Sequence, residues 1–218
     1  MTEPVAILPI KSFDQAKQRL SETLDPVTRR VLAEAMFSDV LVALRRSTLI
    51  ESVLVVSGDH GAQRIAAGYG ATVIEDQELG HNEAVALGIQ RAVELGAPRV
   101  LLVPGDCPLL DPRELDELLS RPAATRSAVV VPDRHGSGTN ALLLTPPDAL
   151  VPAFGPGSRQ RHESIAGRAG LEVQTVPVDS LALDVDTPED LTAVEEALAN
   201  RHGGAAHTRG MLRQLSRT

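Results

Sequence analysis

The first half of the chain alternates short apolar runs with longer segments of mixed polarity. The apolar runs "VAILPI", "SVLVVS", "ATVIE" and "RVLLVPGD" are separated by segments at 26–46, 60–69 and 82–95, which have the length and apolar spacing of helices. Strands and helices that alternate in this way predict βαβ units, in which helices cover both faces of a largely parallel sheet. The pattern therefore predicts an α/β fold.

The second half follows a different rhythm. After residue 125 the apolar runs "SAVVVP", "NALLLT" and "LEVQTVPV" lie closer together, with one helical segment at about 158–169. This spacing predicts a mixed sheet that is parallel at first and partly antiparallel later. A capping residue followed by proline marks helix starts at Asp25, Asp111 and Thr187.

Length and composition predict a single domain over residues 1–199. The 218 residues are 43% hydrophobic, which suffices for one sizeable core, and that core must be aliphatic because the chain has no Trp, one Tyr and three Phe. Residues 200–218 are basic, contain two adjacent glycines and show little apolar periodicity, which predicts a flexible tail. The alternative is a basic arm that closes over an anionic ligand.

Charge and cysteine content exclude several classes of function. The net charge is −8, and residues 201–218 hold four Arg and no acid, so the rest of the chain is strongly acidic. An acidic body with few aromatic side chains is a poor nucleic-acid binder. No apolar segment is long enough to span a bilayer, so we expect a cytoplasmic protein without membrane contact. The single cysteine, Cys107, is expected to be a packing residue.

Three carboxylates follow predicted strands. Asp106 follows "RVLLVPG", and Asp184 and Asp186 end "SLALDVD" just ahead of a capped helix. The carboxyl ends of parallel strands meet at one edge of a sheet, and residues two apart in an extended chain project to the same side. A few carboxylate oxygens suit Mg²⁺, or Mn²⁺, bridging to substrate phosphates. The alternative is that Asp186 caps a helix and that Asp106 ends a strand.

A basic loop follows the first predicted strand. "LPIKSFDQAKQRLS" carries Lys11, Lys17 and Arg19, and its two lysines are the only ones among 21 basic residues. Lysine is a compact and mobile point charge, suited to phosphates that move during a reaction, whereas arginine is a rigid fork. The segment is therefore a candidate phosphate-binding loop. The alternative is a solvated turn at a helix start.

Two glycine-rich segments are candidate anion sites. "HGSGTNALLL" places Thr139 just before a strand, and "FGPGSRQRHES" places Gly155 and Ser158 at a helix start, where free backbone N–H groups attract phosphate or carboxylate. The alternative is a hairpin and an ordinary serine cap. Asn82 opens another helix after Gly80. The "GxGxxG", "GxxxxGK[ST]" and "GxSxG" fingerprints of dehydrogenases, P-loop proteins and hydrolases do not occur in the sequence.

Together these motifs resemble a known family. "LPIKSFDQAKQRLS", "VPGDCPLL", "GSGTNALLL", "FGPGSRQRHESIA" and "LALDVDTPEDL", in this order, resemble the 2-phospho-L-lactate or phosphoenolpyruvate guanylyltransferases of coenzyme F-420 biosynthesis. The resemblance covers residues 4 to about 199. It implies a Rossmann-like, mostly parallel mixed sheet flanked by helices, as in nucleotide-diphospho-sugar transferases of the GT-A type.

The resemblance also implies roles for the candidate residues. The implied ligands of a divalent metal are Asp106, Asp184 and Asp186. The residues implied to grip the GTP phosphates and to act in catalysis are Lys11, Lys17 and Arg19. Two residues are implied to lie near the guanine or the ribose, Gly80 and Asn82. The implied pocket for the phosphorylated acid contains Thr139, Gly155 and Ser158.

The implied reaction transfers GMP from GTP to phosphoenolpyruvate or 2-phospho-L-lactate and releases pyrophosphate, with Mg²⁺ or Mn²⁺ as cofactor. A phosphate nucleophile is already ionised at neutral pH, so positioning and charge neutralisation suffice. The implied partners are GTP, a small phosphorylated carboxylic acid and the next pathway enzyme, which would receive a labile product. Alternative acceptors are 3-phosphoglycerate, a sugar phosphate or a molybdopterin-type compound, and the alternative to an enzyme is a non-catalytic nucleotide-binding module.

The basic loop after the first predicted strand departs from the glycine-rich "LAGGxSxRxG" of the wider superfamily. This departure argues against a molybdenum-cofactor enzyme.

Overall fold

Seven strands and seven helices occur in the residues that the computed structural model describes, which are 3–77, 80–122 and 124–215. The strands are β1 (Val5–Pro9), β2 (Ser52–Ser57), β3 (Thr72–Glu75), β4 (Val100–Leu102), β5 (Ser127–Pro132), β6 (Thr139–Thr145) and β7 (Glu172–Thr175). The helices are α1 (Pro26–Arg46), α2 (His60–Gly68), α3 (His81–Glu94), α4 (Pro112–Leu119), α5 (Ser158–Arg168), α6 (Pro188–Asn200) and α7 (Ala206–Leu215). Short 3-10 helices lie at Phe13–Gln15, Gln18–Leu20 and Asp179–Leu181.

The strands form one mixed sheet in the order β3-β2-β1-β4-β6-β5-β7. β1 pairs in parallel with β2 and β4, and β2 with β3, whereas β6 runs antiparallel to both of its neighbours, β4 and β5. The predicted α/β fold with a mixed, mostly parallel sheet is confirmed. Because β6 is reversed, its first residue, Thr139, lies at the same edge as the carboxyl ends of β1 to β4.

Local sequence sets where the helices begin. Asp25 caps α1 by accepting hydrogen bonds from two backbone N–H groups, and Asp111 caps α4 by accepting one. At α6, Thr187 and Asp190 form a reciprocal capping box. Each cap is followed by a proline, whose missing N–H and fixed φ suit the first helical position. The three predicted helix starts are therefore confirmed.

The sheet separates two layers of core. In β1, Ala6 and Leu8 belong to a cluster with α1, α2 and α4, while Val5 and Ile7 belong to a cluster with α3 and α5. All four side chains are fully buried, as expected for a parallel strand covered on both faces. Cys107, predicted as a packing residue, is also fully buried, and burial raises the pKa of its thiol. None of the described helices combines the length and the apolarity that a membrane crossing requires.

The C-terminal segment differs from the prediction. Residues Ala206–Leu215 form α7, which packs against α1 and joins a small apolar cluster. Asp39 of α1 accepts hydrogen bonds from the backbone N–H groups of His207 and Thr208 at 3.1 and 2.8 Å, so α1 caps the start of α7. The prediction of a flexible tail is wrong for α7; residues 216–218 lie outside the described residues.

Gly88 lets α3 pack closely on the sheet. A methyl group at this position would lie 2.4 Å from Cγ2 of Ile7 and 3.2 Å from Cγ2 of Val56. We expect Gly88→Ala to lower the free energy of unfolding by about 1–3 kcal/mol, because the close-packed strands beneath it cannot move away. Chemical denaturation followed by circular dichroism measures this change.

Gly68→Ala is the matched control for Gly88→Ala. Gly68 also lies in a helix, but outside that helix's own backbone and the adjacent residues, no atom of the described part of the chain lies within 4 Å of the position that a methyl group would take. The same substitution there is expected to be neutral or to stabilise by up to about 1 kcal/mol, since alanine favours helix over glycine. Equal effects at the two positions would contradict the close packing of α3.

Candidate active site

Charged side chains from three parts of the chain meet at the carboxyl edge of the sheet. The Lys17 ammonium donates hydrogen bonds to Asp106 Oδ2 and, at 3.2 Å, to Asp186 Oδ1. The Arg19 guanidinium lies 3.7 Å from the other oxygen of Asp186. Asp106 follows β4 as predicted, whereas Asp184 and Asp186 end no strand; they lie in the loop between the 3-10 helix Asp179–Leu181 and α6. The fold still brings the basic loop and the carboxylates together at this edge, as the sequence led us to expect.

Lys17 is held in an unusual and buried position. Its backbone is left-handed, with a φ of 55°, and its side chain is only 8% exposed. Burial by itself lowers the pKa of Lys17, but the carboxylates of Asp106 and Asp186 outweigh burial and raise the pKa above its ordinary value. Lys17 is therefore charged at neutral pH and neutralises two neighbouring acids.

Asp59 ties the basic loop to the start of α2. Its Oδ2 accepts hydrogen bonds from Ser12 Oγ at 3.3 Å and from the Phe13 N–H at 3.0 Å, while its Oδ1 caps α2. Burial tends to raise the pKa of Asp59, but these hydrogen bonds favour the ionised carboxylate and lower the pKa overall. Phe13 also packs against Phe37 of α1, at a ring-centroid distance of 5.8 Å. The loop is therefore held both by hydrogen bonds to Asp59 and by this aromatic contact.

Asn140 positions Asp184. The Asn140 Nδ2 donates hydrogen bonds to the Leu181 carbonyl at 2.7 Å and to Asp184 Oδ1 at 3.1 Å. The pKa of Asp184 is raised, first by burial and then by the negative charge of Asp106. A further cation at this place would relieve the repulsion between the two carboxylates. Asn140 stands next to Thr139 in "GSGTNALLL", yet nothing in that pattern shows that its amide faces an acid.

The Asp186 carboxylate does not cap α6. Thr187 and Asp190 fill that role, and Asp190 Oδ2 accepts hydrogen bonds from the backbone N–H groups of Asp186 and Thr187 at 2.9 and 2.7 Å. Arg134 anchors Asp190, with 2.6 Å between Nη2 and Oδ1. The alternative in which Asp186 is a helix cap is thus excluded, and its side chain belongs to the charged cluster.

The donor set of Asp106, Asp184 and Asp186 fits a hard divalent cation. All three offer carboxylate oxygens, which Mg²⁺ prefers, and the ammonium of Lys17 already lies between two of them as a cation. Within 3–77, 80–122 and 124–215, however, no group of three or more Asp, Glu, His or Cys side chains is close enough to hold an ion. A metal here would need further ligands, such as substrate phosphates.

Two connected cavities flank the charged cluster. The first, of about 390 Å³, lies over the basic loop and is lined by Lys11, Lys17 and Asp106 among others. The second, of about 370 Å³, extends from Lys11 and Asp106 to Thr139 and Gly155. Because Lys11 and Asp106 line both cavities, ligands bound in the two would meet beside the cluster.

The residues implied to bind the phosphorylated acid differ in their positions. Thr139 and Gly155 line the second cavity, and Gly155 has a φ of 115°, a conformation that favours glycine. Ser158 is the first residue of α5 and is almost fully buried. Its backbone N–H donates a hydrogen bond to the Gly155 carbonyl at 3.0 Å, so Ser158 supports the Gly155 turn and its N–H is already used.

His162 supports Thr139 from behind. Its ring is fully buried; Nε2 accepts a hydrogen bond from the Ala153 N–H at 2.9 Å, and Nδ1 lies 3.0 Å from Thr139 Oγ1. Because Nε2 is an acceptor, the proton of the neutral ring is on Nδ1 and is donated to Thr139. The Thr139 hydroxyl therefore keeps its own proton for a ligand in the cavity.

The buried His162 leads us to expect a loss of stability in acid. Burial, followed by the charge of Arg161, lowers the pKa of His162 from 6.5 to about 4. Between these pH values the unfolded chain binds a proton that the folded chain does not. The free energy of unfolding therefore falls as the pH drops, by up to roughly 3 kcal/mol.

His162→Gln should flatten this dependence in thermal melts recorded from pH 4 to 7, whereas His202→Gln, at an exposed position, should not. Parallel slopes in His162→Gln and the parent would contradict a neutral His162.

The two cavities together form one groove along the carboxyl edge of the sheet. Gly80 and Asn82, implied to lie near the guanine or ribose, have different positions beside it. Gly80 has a φ of 140° and lines a small cavity together with Lys11. Asn82 Oδ1 accepts a hydrogen bond from the Phe154 N–H at 3.0 Å and so fixes the loop that leads to Gly155. Asn82 therefore supports the side of the groove that contains Thr139 and Gly155.

Comparisons with known proteins show which family the chain resembles. A family model described as "Guanylyl transferase CofC like" matches residues 4–218, so the likeness includes α7, beyond the end that the motifs suggested. A phosphoenolpyruvate guanylyltransferase of Conexibacter woesei is 56% identical over 98% of this chain and 96% of its own length. A 2-phospho-L-lactate guanylyltransferase of Methanothermobacter thermautotrophicus is 36% identical over 96% of this chain and 90% of its own length.

The fold is shared more widely than the sequence. A solved structure from Desulfovibrio desulfuricans, assigned to the nucleotide-diphospho-sugar transferases, superposes with a TM-score of 0.77 at 20% identity and covers 98% of this chain and 95% of its own. That likeness confirms the predicted architecture alone. The family match and the 56% identical relative confirm the resemblance seen in the motifs: the chain belongs to the CofC-like guanylyltransferase family.

Proposed function

We propose that this protein transfers GMP from GTP to phosphoenolpyruvate in the cytoplasm, with release of pyrophosphate, as a step of coenzyme F-420 biosynthesis. The family and the 56% identity to a phosphoenolpyruvate enzyme support the proposal. The structural observation that carries it is the cluster of Lys17, Asp106 and Asp186 between two connected cavities. One cavity lies over the basic loop, as a triphosphate requires, and the other has room for a small acid.

The proposed reaction is an in-line displacement at the α-phosphorus of GTP. A phosphate oxygen of the acid forms the new P–O bond, the bond from the α-phosphorus to the β-phosphate oxygen breaks, and pyrophosphate leaves with the electron pair. The attacking phosphate is ionised at neutral pH, so no protein group has to remove a proton. Lys11 and Lys17 would bind the triphosphate and neutralise the charge that grows on the leaving pyrophosphate. Arg19, whose side chain is 73% exposed, would act at the rim of the groove.

Asp106, Asp184 and Asp186 would hold Mg²⁺, or Mn²⁺, together with substrate phosphates. When bound, such an ion neutralises phosphate charge and helps to orient the reacting groups. The chain's own contribution is to hold the carboxylates in place: Asn140 orients Asp184, and Asp190 fixes the backbone at Asp186. Supporting contacts of this kind keep a site within the narrow geometry that catalysis needs.

The acid would bind beside Thr139 and Gly155. The Thr139 oxygen already accepts a hydrogen bond from His162 Nδ1–H, so its hydroxyl can donate to a phosphate or carboxylate oxygen. Lys11 lines the same cavity and would balance the charge of the acid. A hydroxyl and a cation in one cavity suit an acceptor that carries both a phosphate and a carboxylate.

A coupled assay tests the proposal. The purified protein would be incubated with GTP, Mg²⁺ and one acid at a time: phosphoenolpyruvate, 2-phospho-L-lactate or 3-phosphoglycerate. Pyrophosphate release would be followed and the guanosine diphosphate ester identified by mass. We expect the highest kcat/KM with phosphoenolpyruvate. A product formed only from another acid would replace the proposed acceptor, and GTP binding without turnover for any acid would favour a non-catalytic module.

A further inference from the structure

A third, smaller cavity opens beside the basic loop. It has a volume of about 150 Å³ and lies at the carboxyl ends of β1, β2 and β3, where Ser12, Gln15, Gly58, Asp76 and Gly80 line it. It shares Lys11, Ser12 and Gln15 with the larger cavity over the basic loop. A molecule whose phosphates lie at Lys11 and Lys17 can therefore extend its other end towards Asp76.

Asp76 is the unusual residue of this cavity. It follows β3 directly, is only 9% exposed, and its buried Oδ1 accepts no hydrogen bond from any residue in the described ranges. Two partly buried acids of this edge do have donors, since Asp184 accepts from Asn140 and Asp59 from the backbone of α2. A carboxylate oxygen buried without a donor costs free energy, so such a group in a native protein calls for a partner outside the chain.

The hydrogen-bonding groups of this cavity indicate which ligand can pair with Asp76. A carboxylate has acceptors only, so Asp76 needs a ligand that presents N–H or O–H donors. The Watson–Crick edge of guanine presents two adjacent donors, N1–H and the 2-amino group, and one carboxylate can accept from both. Adenine places an acceptor at N1, which the carboxylate repels. Gly58 lines the cavity without a side chain, which leaves room for a flat ring.

We propose that Asp76 reads the guanine base by accepting hydrogen bonds from N1–H and the 2-amino group. The proposal rests on the function proposed above, in which GTP is the nucleotide, and adds the residue that selects it. Asp76 is then a specificity-determining residue, remote from the reacting phosphorus. A buried acceptor of this kind rejects bases that lack the matching donors, because the carboxylate would stay unpaired.

The first test needs no substitution. The kcat/KM of the parent protein is compared for GTP, for inosine triphosphate, which lacks only the 2-amino group, and for 2′-deoxy-GTP, with phosphoenolpyruvate as acceptor. We expect inosine triphosphate to be used about ten- to a hundredfold less well than GTP, because one oxygen of the buried carboxylate would then be left without a donor. Equal use of GTP and inosine triphosphate would overturn the proposal, and so would discrimination only against the deoxynucleotide, which would place the ribose at Asp76.

The second test replaces one hydrogen-bond acceptor of Asp76 with a donor. Asn in Asp76→Asn accepts from N1–H and donates to a carbonyl at C2, so this variant matches xanthine, which carries that carbonyl in place of the 2-amino group. We expect the ratio of kcat/KM for xanthosine triphosphate over GTP to rise at least tenfold in Asp76→Asn. The matched control is Glu75→Gln, an exposed acid one residue earlier on β3, which should leave the ratio unchanged.

The two proposals fail in different ways. If the parent shows no turnover with any acid, the proposed function fails, and GTP and inosine triphosphate affinities measured by calorimetry still test Asp76. If the parent uses GTP but Asp76→Asn keeps the parent ratio of xanthosine triphosphate to GTP, the role of Asp76 is wrong while the reaction stands. A thermal melt of Asp76→Asn establishes that the variant is folded before its ratios are interpreted.

Discussion

Replacing Lys17 with arginine is expected to lower kcat/KM for GTP by about ten- to a hundredfold while the fold stays intact. The Lys17 ammonium is a compact donor that lies between Asp106 and Asp186 on a side chain that is only 8% exposed. A guanidinium is wider, planar and rigid, so it cannot take the same point between two carboxylates and also follow a moving phosphate. Rates of pyrophosphate release over a range of GTP concentrations measure the change.

The comparison isolates the head group of Lys17. Lysine and arginine both carry a Cβ, so the left-handed backbone at this position, with a φ of 55°, strains both equally. Arg91→Lys is the matched control, because it makes the reverse exchange on α3, where Arg91 pairs with Glu94 on the surface. That control should keep the parent kinetics. Unchanged kinetics in Lys17→Arg would contradict a role for the Lys17 ammonium in the use of GTP.

The architecture could be predicted from the sequence because its signals are local. Asp25 with its proline starts α1, and the pattern of residues 26–46 matches the helix as found. Close spacing of apolar runs after residue 125 predicted antiparallel strands, and β6 is antiparallel to both neighbours. These features depend on residues a few positions apart, which a single sequence displays.

Helix α7 could not be predicted in this way. Its first N–H groups are satisfied by Asp39, a residue of α1 that is distant in sequence, and its apolar face is covered only when the domain has folded. The sequence therefore predicted a flexible tail, on the basis of two glycines at 203–204 and many polar residues. Tertiary packing overrides weak local propensity here, as it often does for short helices.

Only part of the candidate site could likewise be predicted from the sequence. Asp106 and the lysines could be brought together from topology, since they follow β4 and β1, whose carboxyl ends point to one edge. Asp184 and Asp186 reach the same edge from a loop, although the sequence predicted that they end a strand. The residues that support them could not, because Asn140 and His162 act through partners that only the folded chain reveals. An isolated acid such as Asp76 after a short strand likewise carries no signal until its burial without a donor is seen.

Asp184→Asn is expected to lower kcat at least about a hundredfold and yet to leave the protein as stable as the parent, or more stable. The Asp184 carboxylate is partly buried beside Asp106, and burial and that neighbouring charge raise its pKa, which means that its charge is unfavourable in the folded protein. Asparagine removes the charge and keeps an oxygen that can accept the hydrogen bond from Asn140. If the Asp184 carboxylate serves as a metal ligand, removing its charge lowers kcat but does not lower the free energy of unfolding.

The opposite result at a distant carboxylate makes the test specific. Asp116 on α4 accepts hydrogen bonds from the Ser47 hydroxyl and the Thr48 N–H, away from the groove. Asp116→Asn should therefore lose stability and keep the parent kcat. Melting temperatures with and without GTP and Mg²⁺ add a second readout, since ligands that bind the folded state raise the melting temperature, and Asp184→Asn should gain less than the parent. A parent-like kcat in Asp184→Asn at saturating Mg²⁺ would remove Asp184 from the metal-binding set and leave its buried charge without a functional reason.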